Sequence, residues 1–514
     1  MAAYQPQWTS LAEHPVPSWF RGAKLGIYTH WGPYCVPSYG GNGTWYPHQM
    51  YIDGTPEHRH HVKTYGHPSK FGYKDFIPMF TGAKFDPEEW ADLFRRAGAR
   101  FAGPVAEHHD GFSMWDSRVN RWNSARMGPK RNIVGELEKT IRAAGMKFLT
   151  TFHHGANWIF FPTSDPRYDC MTPESADLYT RPHAPDAPPD TAFHELWLAK
   201  LREVWDDCQP DIIWFDFDLG LMRDRWRRRA IADYYNRAET WGREVVATAK
   251  EMPKGWFNLP PHAGVLDLEV GRMNEMTQHL WLTDTSIDAG PGGAWSHVRN
   301  IGYKSVERLV HTTADIASKN GCLLLNAGPR ADGTIPEAAR EALLGLGRWL
   351  ERNGEAIHDT TPWITSGEGP TRQEGGGHFN EDNEPRLTAH DIRFTTKGDN
   401  VYAICMGRPG DQTLIRSFRL PTKEAARTMQ PVDSSEIRAI HCLGCEQPLR
   451  WRIDEDGLMI ENPEKLPGEH AFVYRIGLIP ADHEENGEHG QARTNTDEHG
   501  DHGEARGGGA ARAG

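Results

Sequence analysis

The run Pro210-Asp211-Ile212-Ile213-Trp214-Phe215-Asp216-Phe217-Asp218 carries an apolar segment onto carboxylates. Read as a strand with period two, Ile213, Phe215 and Phe217 form one apolar face, and Ile212, Trp214, Asp216 and Asp218 form the other. A carboxylate beside a buried aromatic is costly to bury unless it serves a purpose. At the C-terminal end of a parallel-barrel strand that purpose is reaction chemistry. An ionised carboxylate can attack an electrophilic carbon there, while a second, protonated one delivers a proton to the leaving group. Asp216 is the candidate nucleophile. Asp218 shares its face and is the rival, expected to stand further out towards solvent.

Other reactive side chains gather at predicted strand ends. His30 follows the first strand, Glu107-His108-His109-Asp110-Gly111-Phe112 the second, His153-His154 the third, and Asp267-Leu268-Glu269 the sixth. A single histidine is more often structural than functional, but five at three strand ends mark a site. Two chemistries fit them. One is carboxylate-based group transfer with histidines as polar contacts. The other is a metal-dependent barrel hydrolase with His108, His109, His153, His154 and Asp216 as ligands, although the first strand lacks a His-x-His motif. A non-catalytic glycan-binding protein on the same scaffold is a third reading, and the pairing of Asp216 with an acid such as Glu269 speaks against it.

These groups need a scaffold that brings strand ends together. From about residue 22 to 355, short apolar runs alternate with amphipathic segments, the pattern of β–α units. Strands are expected at 25–29, 101–106, 147–152, 211–217, 245–249, 264–268, 280–284 and 322–326, the number that closes a parallel barrel. Helices are expected at 87–94, 131–144, 193–208, 225–241, 303–319 and 337–353; the fifth and sixth units lack an obvious one. Residues 1–360 therefore read as a (β/α)8-like TIM barrel, with long functional loops at 32–84 and 155–190. Residues 374–383 read as a polar, Gly-rich linker. Short strands at 391–396, 400–407, 414–420, 437–441, 450–454, 457–460 and 470–478 place a β-sandwich in 361–481. Residues 482–514 are too polar to form a core and are expected to be disordered.

Composition narrows the classes. Among 514 residues, 19 Trp and 15 Tyr supply flat rings suited equally to a barrel core and to the C–H faces of sugars. A net charge of −13 argues against a phosphate-tracking nucleic-acid binder. No apolar run reaches membrane-spanning length, and the first residues lack a secretory signal. A soluble, cytoplasmic protein is expected, unless a leader was removed, with no nucleic-acid or membrane partner. Seven scattered cysteines fit reduced thiols, and Cys442-Leu443-Gly444-Cys445 has zinc spacing but no second pair. A homo-oligomer stays open.

The site residues, taken in order, resemble the alpha-L-fucosidases of glycoside hydrolase family 29. The resemblance rests on His30-Trp31-Gly32, Trp45-Tyr46, Glu107-His108-His109-Asp110-Gly111-Phe112, Trp214-Phe215-Asp216 and the block from Ser318 to Pro329 that contains Leu324-Leu325-Asn326-Ala327-Gly328-Pro329. It runs from about Trp19 to Ile364. It implies a retaining glycosidase for terminal fucose on a fucosylated glycan or glycoside, with Asp216 as the nucleophile and neither cofactor nor metal. Leu266-Asp267-Leu268-Glu269-Val270-Gly271-Arg272 resembles the family segment in which a Glu precedes Gly-Arg. Glu269 is thus the implied acid/base, with Glu275 as second choice. His30, His108, His109, Trp45, Tyr46 and Trp295 match sugar-binding positions; Trp158 and Trp214 join them, and His153 stands where many relatives have Tyr. Thr44 replaces a common Glu and Glu107 a common Lys, departures that mark a subgroup whose leaving-group preference and sugar do not follow from the family.

Overall fold

The computed structural model describes residues 3–250, 259–260, 262–372, 375–381, 385–419 and 436–479. The expected tail at 482–514 lies outside them. Eight parallel strands close into a barrel in sequence order: β1 (Leu25–Thr29), β2 (Phe101–Glu107), β3 (Lys147–Phe152), β4 (Ile212–Phe215), β5 (Val246–Lys250), β6 (Val265–Asp267), β7 (Trp281–Ser286) and β8 (Gly321–Asn326). β8 pairs with β1, so the sheet has no free edge.

Alternation along the strands sorts side chains into two cores. Tyr28, Val105, Leu149, Ile212, Trp214, Val246, Val265, Leu282 and Leu324 pack together inside the barrel. Ile27, Phe148, Ile213, Phe215, Ala247 and Leu325 face outward against the helix layer. The helices Pro87–Arg96, Ile133–Ala143, Thr191–Cys208, Asp224–Trp241, Val306–Ser318 and Glu337–Asn353 form that layer. Several carry the expected stops and starts. Asp86 accepts from the Glu88 and Glu89 amides ahead of Pro87, and Gly242, at φ 63°, ends the helix before β5. No helix separates β6 from β7, where a turn-rich loop pairs instead with a later segment.

β4 is shorter than expected. It ends at Phe215, and residues Phe217–Leu221 turn into a 3-10 helix whose first amide is capped by the Asp216 carboxylate. The turn carries Asp218 back into the protein, where it is buried against Gly155, so it does not stand towards solvent.

Beyond the barrel, one sheet runs β13 (Ile437–Cys442)–β16 (Phe472–Leu478)–β11 (Asn400–Cys405)–β10 (Ile392–Lys397)–β9 (Thr361–Glu368), and a second runs β12 (Gln412–Ile415)–β15 (Leu458–Glu461)–β14 (Trp451–Ile453). Their facing sides share a core of Trp363, Phe394, Phe418, Ile440, Ile460 and Tyr474. β9 has no sequence signature because it is an edge strand, mostly half-exposed, where Pro362 and Gly367 are tolerated. The segment read as a linker is fastened to the barrel: the Gly377 amide donates to the Arg272 carbonyl at 2.8 Å and the Phe379 amide to the Glu269 carbonyl at 2.9 Å. No described helix is long and apolar enough to cross a membrane. All seven cysteines are free thiols.

Candidate active site

The alternation that puts Ile212 and Trp214 inside the barrel puts Asp216 above them on the same side. Lys250 follows Val246 and Thr248 on β5, and Asp284 follows Leu282 on β7, by the same parity. The barrel therefore ends in a polar layer over an apolar one. Above it lies a cavity of ≈ 590 Å³, lined by His30, Asn42, Thr44, Trp45, His108, His109, His153, Asp216, Phe217, Lys250, Glu269, Asp284, Trp295, His378 and Phe379 together with glycines 41, 292 and 293 and Pro291.

Asp216 is held on every side. Its Oδ1 lies 2.7 Å from Lys250 Nζ and accepts from the Phe217 amide at 2.7 Å. Its Oδ2 lies 2.9 Å from His153 Nδ1 and 3.5 Å from His109 Nε2. Burial acts to raise its pKa, but the Lys250 ammonium and the His153 hydrogen bond hold the carboxyl well below the usual carboxylate range. Glu269 is placed differently. It is 17% exposed and 3.0 Å from the same Lys250 nitrogen. Burial, with Asp284 and Asp216 nearby, outweighs that ammonium and raises its pKa to about 7. Lys250 itself, despite burial, is kept charged by Asp216, Glu269 and Asp284. One ammonium thus sits between an ionised and a protonated carboxyl.

Deeper in the barrel, burial and the neighbouring Asp284 push the Asp267 carboxyl well up, and Tyr28 donates to Asp284 at 2.9 Å. Asp218 is likewise raised by burial and by Asp216. It lines no part of the cavity. Glu275 is exposed in the loop after β6, also away from the cavity, whereas Glu269 lines it.

Four imidazoles make the floor and one wall. Burial lowers the pKa of His30, His108, His109 (to about 3) and His153, so all four are neutral. Their tautomers follow from their partners. His30 Nδ1 lies 3.0 Å from Asn326 Oδ1, and His109 Nδ1 lies 2.7 Å from the His153 carbonyl, so both Nδ1 atoms carry the proton and both Nε2 atoms present lone pairs. Trp45 and Trp295 supply flat apolar walls. Trp45 comes from the 3-10 turn Gly43–Trp45, whose Gly43 amide donates to the Ala294 carbonyl at 3.0 Å, tying the two walls together. Thr44 turns its hydroxyl onto Asn42 Oδ1 at 2.7 Å.

Three expected contact residues lie elsewhere. Tyr46 is buried behind Trp45, with its hydroxyl 3.2 Å from His61 Nδ1. Trp158 stacks on His183 and donates to the Ala187 carbonyl, a separate pocket away. Trp214 lies below the floor, 4.9 Å from the His153 ring and 5.3 Å from Lys250 Nζ, and supports the site without lining it. Lys250, Asp284, His378 and Phe379 were not expected. Lys250 was one residue beyond the end assigned to the fifth strand, and Asp284 closed the seventh; polar residues at strand ends were the available signal. His378 and Phe379 had none.

A sequence model described as Alpha-L-fucosidase matches residues 1–355. The chain belongs to the alpha-L-fucosidase family. It is 29% identical over 487 residues to the alpha-L-fucosidase of Branchiostoma floridae, covering 92% of this chain and 95% of that one. It is also 29% identical over 485 residues to the tissue alpha-L-fucosidase of Homo sapiens, covering 92% and 91%. The crystal structure of Thermotoga maritima alpha-fucosidase in complex with fucose superposes with a TM-score of 0.71 at 30% identity, covering 92% of this chain and all of that one.

This membership makes the chain a glycoside hydrolase, and the two fucosidase sequence blocks acquire physical roles. In His108-His109-Asp110-Gly111-Phe112 the two histidines face the cavity, while Asp110 accepts from Tyr73 and from the Phe112 amide. Gly111 has φ +76°, and a Cβ there would meet the Leu178 carbonyl. Asn326 of the second block orients His30 through Oδ1 and donates through Nδ2 to Ser286 Oγ and the Trp295 carbonyl. A Cβ on Gly328 would lie 2.9 Å from that same carbonyl. Glu107 is buried in an ion pair with Lys200 and does not line the cavity.

Among the described residues, two histidine groups have ligand atoms close enough for a metal, His30–His108–His153 and His109–His153–Asp216. His153 belongs to both, but its ring nitrogens are taken by Asp216 and by the Thr151 hydroxyl at 3.2 Å. His154, counted among the expected ligands, turns away to the Trp197 carbonyl.

Proposed function

We propose that the protein is a retaining exo-glycosidase that releases terminal alpha-L-fucose from fucosylated glycans or glycosides through a covalent fucosyl-enzyme. The observation that carries this reading is the Asp216–Lys250–Glu269 arrangement. Two carboxylate oxygens within 2.7 and 3.0 Å of one nitrogen lie at most about 5.7 Å apart. Retention needs carboxyl groups roughly 5–5.5 Å apart, inversion roughly 6.5–9.5 Å. The environments also separate their pKa values in the required direction.

In the first half-reaction an Asp216 oxygen bonds to the anomeric carbon, the glycosidic C–O bond breaks, and the Glu269 proton passes to the leaving oxygen. In the second, Glu269 takes a proton from water, the water oxygen bonds to the anomeric carbon, and the ester to Asp216 breaks. One carboxylate charge exists at every stage, first on Asp216, then on Glu269, then again on Asp216. Lys250 touches both, so its counter-ion moves across it without any charge being left unpaired. The lone pairs on His30 and His109 suit sugar hydroxyls, and the two tryptophans suit a deoxy-sugar's C–H surface and methyl group.

Replacement of Asp216 by Ala is expected to lower turnover of an aryl alpha-L-fucoside by more than about 10³-fold, with partial rescue by azide. Glu269→Ala should lose far less on a good leaving group than on a natural linkage. Ordinary activity in the Asp216 variant would remove this mechanism. The metal reading draws on the two histidine groups, and dialysis against EDTA separates it: unchanged activity is expected, and loss restored by a divalent ion would favour a metal hydrolase.

A further inference from the structure

Two side chains of the cavity come from outside the barrel. His378 and Phe379 lie on the connection between β9 and β10 of the sandwich, and both meet the backbone of Glu269. The Glu269 amide donates to His378 Nδ1 at 2.9 Å, and the Glu269 carbonyl accepts from the Phe379 amide at 2.9 Å. Asn380 and Glu381 continue the pairing through the Val270 carbonyl. Glu381 is then locked in place by Lys304, at 2.6 Å, and by the Thr285 hydroxyl. The platform is anchored on both sides.

Phe379 pays twice for its position. Its φ is +51°, the left-handed region that a bulky side chain avoids, and 59% of its surface is exposed. A strained backbone and a solvated ring persist together only where the surroundings impose them, a pattern that concentrates at ligand contacts. Phe379 lines the cavity and is held beside Glu269, the proposed leaving-group acid, by its backbone. Gly41, Asn42, Pro291, Gly292 and Gly293 also line the cavity.

Resting on the assignment of Glu269 as acid/base, we propose that Phe379 is the leaving-group platform: it stacks on the ring face of the aglycone and so sets which fucosides are cleaved.

The test compares two activated substrates, alpha-L-fucosyl fluoride, whose leaving group has no ring, and 4-nitrophenyl alpha-L-fucoside. Neither depends heavily on protonation. For Phe379→Ala, kcat/KM on the nitrophenyl fucoside is expected to fall about tenfold, mainly through KM, while the fluoride changes less than about twofold. Phe379→Trp should restore the nitrophenyl value. Equal losses on both substrates, or no loss on either, would overturn the platform. Failure of the unaltered protein to turn over either fucoside would instead overturn the fucosidase mechanism on which the platform rests.

Discussion

Lys250 decides how two carboxyl groups on one cavity can differ in charge. The ammonium lowers both, but Asp216 also accepts from His153 and the Phe217 amide, whereas Glu269 has burial and two acidic neighbours against it. In the proposed mechanism Glu269 acts in its protonated form, and its pKa is raised to about 7, so kcat/KM should fall as pH rises through that value. The groups facing it are Lys250, Asp284, Asp216 and, through the backbone, His378. In Lys250→Met the charge that depresses both carboxyls is gone. Both limbs of the pH profile should then move to higher pH, with kcat/KM at the optimum down about 10²-fold. Limbs that stay in place would show that Lys250 does not set these protonation states. Strand parity made the inward direction of Asp216 readable, whereas the partner that ionises it came from a strand whose end was assigned one residue short.

Strands β3 and β4 show how the barrel separates stability from chemistry. Asp211, at the N-terminal end of β4, is fully buried and faces cations: Arg142 Nη1 at 2.6 Å, Arg243 Nη1 at 3.4 Å and Lys147 Nζ at 3.7 Å, with the Phe148 amide at 2.9 Å. Asp216, at the other end of the same short run, faces the cavity. Asp211→Ala leaves the buried Phe148 amide without its side-chain acceptor and takes a buried carboxylate from Arg142 and Arg243, and should cost about 3 kcal/mol of stability. A thermal melt should drop by several degrees while the pH profile of the surviving enzyme is unaltered; an unchanged melt would show the cluster to be dispensable. The apolar β4 run was legible because period-two alternation continues to its end. The 3-10 turn after Phe215 was not, since a turn driven by the Asp216 cap and by packing on Gly155 has no periodic signature.

The barrel and the sandwich share one core. Tyr402, Ile404, Leu443 and Val473 pack with residues of the barrel helices, and Trp349 donates to the Ala471 carbonyl at 2.9 Å. Across this contact, buried Asp315 of the helix Val306–Ser318 pairs with Lys319 at 2.7 Å and with Arg393 of β10 at 2.5 Å. Burial acts to raise the Asp315 carboxyl, but Lys319 and Arg393 lower it from 3.8 to about 2. Burial costs Lys319 more than the carboxylate returns, so its own pKa falls and the cluster stabilises less than its acid half alone. A depressed carboxylate stabilises the fold above its unfolded pKa and ceases to do so as pH falls through its folded one. Asp315→Asn should therefore be less stable than the unaltered protein at pH 5 by roughly 2 kcal/mol, and the gap should close as pH falls from about 4 to about 2. Urea midpoints measured across that range would decide it; a gap independent of pH would contradict the assignment.

By itself the sequence determined the barrel, the sandwich and the inward direction of Asp216, because alternation and strand-end polarity are properties of neighbouring residues. It also determined the histidine wall, since adjacent reactive residues at successive strand ends meet wherever a barrel closes. Only the tertiary structure decided the rest. Lys250 stands between two carboxyls that belong to different strands, and His378 reaches Glu269 from 109 residues further along the chain. Charge compensation and backbone pairing of this kind depend on distance in space, and separation along the chain carries no trace of it. The same reason removed Tyr46, Trp158 and Asp218 from the site: each has the right residue type at a plausible position, and each is turned elsewhere by what it packs against.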